Sequence, residues 1–301
     1  MKNLLLVVFM VLAVSLVAQT RDANEVSREV SMLNAMLELE NASWRADVTS
    51  VSMHSYEEMQ KMMGLVEPTE VSREEFVFNK SDWPERGEFI VPNVTEVKNQ
   101  ASCGSCVAFG TTAAFEQTYW KKTGSKVLFS ERYLFFCSPY TGYGCNGGWS
   151  LNGGAAAASN SQKGMVKDSD CKYYDGSYHY DCGGSCNKSA QKYTMSYKSV
   201  SANNFINTLK SGKAIIIGAM LYDDFRNYKS GVYEHLQGSQ LGGHCMVLVG
   251  YGTTSAGENY WVVKNSWGTG WGNSGYVRFR VKSEQKLKDS CIETWGGYYF
   301  E

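Results

Sequence analysis

Cysteine placement constrains this chain more than any other feature. The first 102 residues contain none, and all nine fall between Cys103 and Cys291. At the front, Lys2 precedes an almost unbroken apolar run from Leu4 to Val17 and then the small Ala18, the pattern of a secretion signal with its cleavage position. That run is shorter than the roughly 20 apolar residues a membrane-crossing helix needs, so no membrane span is expected. In an oxidising compartment cysteines pair. An odd number leaves at least one thiol over, so the expectation is a disulfide-stapled framework around a free, reactive sulfur. Sequons at Asn41, Asn79, Asn93 and Asn187 fit the same route.

Charge is uneven along the chain. The formal net charge is only -1, with 43% hydrophobic and 20% charged residues. That is globular composition, and it lacks the basic excess of a nucleic-acid binder. Yet residues 19–77 hold 12 acidic and 5 basic side chains, a balance of -7, and residues 78–301 carry +5. The acidic front is expected to be attracted to the basic body. Within the front, Met32, Met36 and Leu39 and the pair Leu33 and Leu37 fall at helical spacing, and a second short helix is expected over 56–64.

The body changes texture half-way. Residues 106–122 read as a helix with Val107, Phe109, Ala113, Ala114 and Tyr119 as its apolar face and Gly124 as its stop. A short helix is expected over 130–137, then Gly-, Tyr- and Cys-rich loops around one weak helix at 151–159. After Tyr193, apolar or alternating runs at 214–220, 244–250, 260–264 and 275–281 read as strands. A helical, cysteine-rich half followed by a β half suggests two lobes with a cleft between them.

Chemistry centres on Gln100-Ala-Ser-Cys103-Gly-Ser-Cys106 at the start of the expected helix. Unpaired N–H groups and the helix dipole favour thiolate over thiol there. A thiolate nucleophile still needs a proton carrier. Of the four histidines, His244 follows Gly242-Gly243 and opens a strand, 138 residues after Cys106. Asn265 ends a later strand, where its oxygen can orient an imidazole, and Trp267 can shield that bond. A thiolate–imidazolium pair at rest is expected. Cys103 and Cys106 alone would also suit a redox dithiol or half a zinc site, but no second pair of matching spacing supports either.

Jointly, the Cys, His and Asn motifs resemble the papain-type cysteine proteases. The second half is most similar to cathepsin B, through Tyr228-Lys-Ser-Gly-Val-Tyr233, Gly242-Gly-His244 and Cys291-Ile-Glu293. Asn41-Ala-Ser-Trp44-Arg-Ala46 and Lys61-Met-Met-Gly64 resemble its short propeptide. The resemblance implies an α+β, two-lobed papain-like fold, with a helical disulfide-rich left lobe and a β-barrel-like right lobe. It implies a signal peptide at 1–18, an inhibitory propeptide at 19–77 and a peptidase domain at 78–301. Cys106 would be the nucleophile, His244 its acid/base partner and Asn265 the orienting residue, with Gln100 and the Cys106 N–H as oxyanion donors. Gly147, Gly148 and Gly243 would face an extended substrate beside Trp267, and Ala219, Cys245 and Trp295 would line the pocket for the second residue before the scissile bond. The implied disulfides are Cys103–Cys145, Cys137–Cys182 and Cys171–Cys186, with no metal or organic cofactor. Implied partners are protein and peptide substrates, the chain's own propeptide and cystatin-type inhibitors, in a lysosome-like compartment or outside the cell.

Departures from the pattern qualify that expectation. Val107 stands where the family has Trp, and Ala101 where Gly is usual. The stretch between Cys171 and Cys186 is too short for the occluding loop of cathepsin B and holds His179 alone instead of paired histidines. An open cleft and endopeptidase action are therefore expected. The rival is a catalytically silent relative acting as a binding or structural protein.

Overall fold

The computed structural model describes residues 21–66, 75–137, 144–159 and 164–301. The expected signal peptide at 1–18 and the stretch 67–74 of the expected propeptide lie outside them. Five α-helices are described: α1 (Ala23–Leu39), α2 (Tyr56–Lys61), α3 (Cys106–Thr123), α4 (Leu151–Ala157) and α5 (Phe205–Lys210). The strands are β1 (Arg45–Ala46), β2 (Gly87–Ile90), β3 (Tyr197–Val200), β4 (Ile215–Tyr222), β5 (Tyr228–Ser230), β6 (Val232–Tyr233), β7 (Gln240–Thr253), β8 (Asn259–Lys264), β9 (Tyr276–Arg280) and β10 (Gly297–Phe300). No described helix is long and apolar enough to cross a membrane.

Two lobes form, as a helical half followed by a β half requires. The right lobe is one sheet in the order β3-β10-β4-β7-β8-β9-β6, with β2 added on β7. All its pairings are antiparallel except β6 with β9. The fourteen-residue β7 is the hub, buried along most of its length and bonded to β4, β8 and β2. The left lobe is built on α3, which Gly124 ends in the left-handed conformation (φ 70°) that glycine adopts at least cost. Its remaining chain is largely loop, stapled by disulfides Cys103–Cys145, Cys137–Cys182 and Cys171–Cys186. Cys106, Cys245 and Cys291 are buried and unpaired.

Residues 21–66 pack mainly on the right lobe. Asp22 caps α1 by accepting from the N–H groups of Asn24 and Glu25, and Ser55 and Glu58 form a reciprocal box at the start of α2. The buried face of α1 is Val26, Val30, Leu33 and Leu37. Met32 and Leu39 point to solvent, so the methionine stripe read from the sequence is not the packing face. Trp44 is fully buried, its ring 5.2 Å from Tyr233 and 6.2 Å from Tyr228. Beside it β1 pairs with β5. Opposite charge plays little part in this docking. Among the described residues a single ion pair, Lys286 with Glu40 at 2.9 Å, joins the front to the body, and it is exposed. Buried apolar surface and hydrogen bonds hold the rest, among them Arg226 Nη1 to His54 O and Arg280 Nη2 to Ser43 Oγ, each at 2.8 Å.

Candidate active site

Cys106 is the first residue of α3 and is fully buried. Ser105 makes no side-chain cap, so the helix leaves its first N–H groups directed at the sulfur. Burial nevertheless dominates and pushes the thiol up to about 11, against N–H groups of Cys245, Gly64, Val107 and Cys106 itself that favour thiolate. Six residues upstream, Gln100 spans the lobes. Its Oε1 accepts from Ser266 Oγ at 2.6 Å and its backbone N–H donates to Ser266 O at 2.9 Å. That leaves its Nε2 to donate to Met62 O at 2.9 Å and Cys103 O at 2.7 Å.

His244 lies on β7 and donates from Nε2 to Asn265 Oδ1 at 2.9 Å. The Ser266 N–H donates to the same oxygen at 2.8 Å, which fixes the Asn265 amide and with it the imidazole tautomer. Nδ1 is then the acceptor, buried and without a hydrogen-bond partner among the described residues. Trp267 covers the ring at 5.0 Å and is itself fully buried. Burial lowers the His244 pKa to about 4, although the Asn265 bond and the nearby Met62 carbonyl favour the charged form. The expected thiolate–imidazolium pair is therefore not the state of this covered site. With water excluded, neutral thiol and neutral imidazole are the cheaper forms.

The cover is the segment from Met62 to Val66, threaded between the lobes. Leu65 N–H donates to Gly243 O at 3.1 Å, and Val66 N–H to Trp149 O at 3.0 Å. Gly64 O accepts from the N–H groups of Gly148 at 3.0 Å and Trp149 at 3.1 Å. The fit needs glycine. A Cβ on Gly64 would lie 1.8 Å from Gly104 O, and one on Gly147 would lie 2.5 Å from Gly64 Cα. Leu65 fills an apolar pocket, where a Cβ on Gly218 would stand 2.4 Å from Leu65 Cδ2 and 2.8 Å from Trp295 Cε3.

The residues singled out from the sequence thus converge on one cleft. Gln100 and Cys106 come from the left lobe, and His244, Asn265 and Trp267 from the right. Gly147, Gly148 and Gly243 line the threaded backbone. Trp295 faces the Leu65 pocket, and Cys245 shares a sheet face with Gly218, its cross-strand partner. Ala219 is buried opposite His244 in the β4–β7 register. Glu293 is turned away from the pocket, accepting from Trp261 Nε1 at 2.7 Å and Lys282 N–H at 2.9 Å. Val107 is fully buried, its Cγ1 2.6 Å from where a Cβ on Gly154 of α4 would stand. Sequence reasoning missed Gly218, hidden in an apolar run, and Ser266, which serves both Gln100 and Asn265.

Residues 78–294 match the Papain family cysteine protease profile, and this chain belongs to that family. It is 36% identical to ananain of Ananas comosus over 199 residues, 65% of this chain and 54% of ananain. It is 33% identical to cathepsin B-like CP2 of Giardia intestinalis over 238 residues, 74% of this chain and 77% of that protein. The chain thus spans little more than half the length of ananain. A solved structure titled proCathepsin B S9 from Trypanosoma congolense superposes with a TM-score of 0.72 and 22% identity, over 93% of this chain and 99% of that one. Its likeness bears on the fold, and the papain-like two-lobed architecture is the one seen here.

Proposed function

We propose that this chain is a cysteine endopeptidase made as an inactive precursor in the secretory pathway, destined for a lysosome-like compartment or the exterior. In this reading residues 1–18 are the signal, 19–77 the inhibitory propeptide and 78–301 the peptidase domain. The observation that carries it is the Met62 carbonyl on Gln100 Nε2 beside His244, a peptide carbonyl seated where a substrate oxyanion would be held. Once the segment leaves, Cys106 loses its proton to His244 and its sulfur attacks the scissile carbonyl carbon. Gln100 Nε2 and the Cys106 N–H stabilise the oxyanion. His244 then protonates the departing amine as the C–N bond breaks, and water taken through His244 hydrolyses the thioester. Asn265 holds the imidazole for both transfers. The cathepsin B-like branch is favoured by Tyr228-Lys-Ser-Gly-Val-Tyr233 and Gly242-Gly-His244. Cystatin-type inhibitors are the partners that would close such a cleft.

Internal cleavage follows from the loop between Cys171 and Cys186, which is short and holds one histidine. His179 Nε2 is engaged by Asp175 Oδ1 at 2.7 Å. That nitrogen is not open to a substrate's terminal carboxylate. The pocket beside Trp295 is apolar and Glu293 is engaged elsewhere, so Leu should be preferred to Arg as the second residue before the scissile bond. The decisive measurement uses the matured full chain with a thiol-directed epoxide and internally quenched peptides with blocked ends. Capture at Cys106, lost in Cys106→Ser, together with cleavage of blocked peptides, is expected. No capture would favour the catalytically silent rival. Loss of dipeptides from free C-termini alone would overturn endopeptidase action, and preference for Arg over Leu would overturn the pocket assignment.

A further inference from the structure

The loop between Cys171 and Cys186 carries four tyrosines that proteolysis as described does not use. One of them anchors it. Tyr173 is buried, its hydroxyl donates to Gln100 O at 2.9 Å, and it shares a hydrogen bond with Ser105 Oγ at 3.0 Å. The loop is thereby tied to Gln100 and to the residue before Cys106. Beneath it runs Arg132, 1% exposed. Its Nε donates to Asp181 O at 2.9 Å, and its Nη2 to Gly183 O at 2.7 Å and Asp181 Oδ1 at 3.0 Å. Two disulfides, Cys171–Cys186 and Cys137–Cys182, close the same base.

On this fixed base three rings stand out into solvent: Tyr174, 56% exposed, Tyr178, 37%, and Tyr180, 42%. Tyr178 and Tyr180 are parallel within 4° at 6.1 Å, and Tyr174 lies 4.8 Å from Tyr178. Single exposed aromatics are ordinary, whereas a contiguous group on a rigid support marks a contact surface. Its place along the cleft selects the occupant. Leu65 marks the pocket end, and Met62 O on Gln100 marks the other end of the threaded segment. Tyr173 fastens the loop to Gln100, at the end away from the pocket. Residues 21–66 leave all three rings exposed.

We propose that Tyr174, Tyr178 and Tyr180 form a platform for the leaving-group half of a protein substrate, taking an aromatic side chain two or three residues past the scissile bond. The proposal rests on the proteolytic reading above and adds a specificity to it. Tyrosine rings offer broad contact area at little entropy cost, and an edge or offset stack suits an aromatic guest.

The test uses the matured full chain and paired quenched peptides with Phe or Ala at the second or third leaving-group position. Phe is expected to raise kcat/KM about tenfold over Ala. Tyr178→Ser and Tyr174→Ser should each bring that ratio towards one, and Tyr178→Phe should restore it. Tyr174, the most exposed of the three, gives the reading should Tyr178→Ser not fold. A dye-amide substrate that ends at the scissile bond reads the catalytic groups alone. Cleavage of the dye-amide with a wild-type ratio near one, or with a ratio that both Ser variants keep, overturns the platform and leaves proteolysis standing. No cleavage of the dye-amide overturns both.

Discussion

The two lobes present one cleft by opposite means. The left lobe gathers Gln100, Cys103 and Cys106 from seven consecutive residues, and fixes the surrounding loops with three covalent cross-links. The right lobe has no disulfide, and brings His244 to Asn265 across 21 residues through the β7–β8 pairing. Local chain geometry presents the sulfur, and long-range strand register presents the groups proposed to handle its proton. The front segment respects the same division. It is anchored on the right lobe by Trp44, by β1 on β5, and by hydrogen bonds from Thr49 to Arg226 O at 2.7 Å and from Ser52 to Asn227 at 2.7 Å. Among the described residues it meets the left lobe where it crosses the cleft, at Met62 to Val66.

The sharpest test of this division compares Cys106→Ala with Asn265→Ala in the matured enzyme. Removing the sulfur should cost about 10^5-fold or more in kcat, the scale seen when a covalent nucleophile is lost. Removing Asn265 leaves Cys106 and His244 in place and should cost about 10^2-fold. Equal losses would mean the right lobe does more than orient the imidazole.

Next in size is the anchor of the cover. Trp44 is fully buried between aromatic rings, and truncating such a side chain costs about 3–5 kcal/mol. Trp44→Ala in the precursor should therefore raise the rate of Cys106 alkylation at neutral pH about a hundredfold. An unchanged rate would show that the cover is held at the cleft and not on the right lobe. Glu40→Gln, which removes the one described ion pair between front and body, should change the rate little because that pair is exposed.

What the sequence displayed follows the same physical division. Local features were legible: the helix opening at Cys106, its glycine stop, and the alternation of the strands. The proposed partners of Cys106 were read from their joint order along the chain, since spacing within a strand says nothing about which strand it will face. Charge balance misled, because a sum over 59 residues is blind to where each side chain lands; most of the front's carboxylates face water. The state of the site was not legible either. Whether Cys106 is thiolate or thiol depends on the water excluded by Met62–Leu65, a tertiary fact. Gly218 and Ser266 gave no signal, because their roles rest on what stands opposite them.

A smaller effect separates the lobes by stability. Cys137→Ser with Cys182→Ser opens a cross-link between residues 45 apart, and should cost about 2–4 kcal/mol. The loss should be confined to one side. Hydrogen exchange is expected to rise around 133–137 and 171–186 while amides of β7 and β8 keep their protection. Uniform loss of protection would show that the lobes unfold as one unit, and that the division is one of architecture only.

The smallest predicted effect concerns how acid loosens the cover. The front's carboxylates are poor triggers, since a single exposed ion pair joins them to the body. His244 is a better one. Covered, its pKa is lowered to about 4, and uncovered and hydrated it should return towards 6.5. The covered state then binds fewer protons than the open state wherever pH lies between those values. With Cys106 replaced by Ala, so that no thiolate forms, both states hold a neutral imidazole above 6.5 and the cover keeps its full stability. As pH falls from 6.5 towards 4 the open state gains a proton that the covered state refuses, so the cover weakens. Between pH 7 and 5 the loss is about 2 kcal/mol, or about thirtyfold in the opening equilibrium. A Cys106→Ala precursor, unable to cut itself, allows the measurement: limited proteolysis of residues 44–66 across that range. Exposure should rise with acid, and His244→Gln, which keeps a neutral polar side chain, should flatten the response. A response that survives His244→Gln but disappears when front carboxylates are neutralised would return the trigger to the charge asymmetry of the sequence.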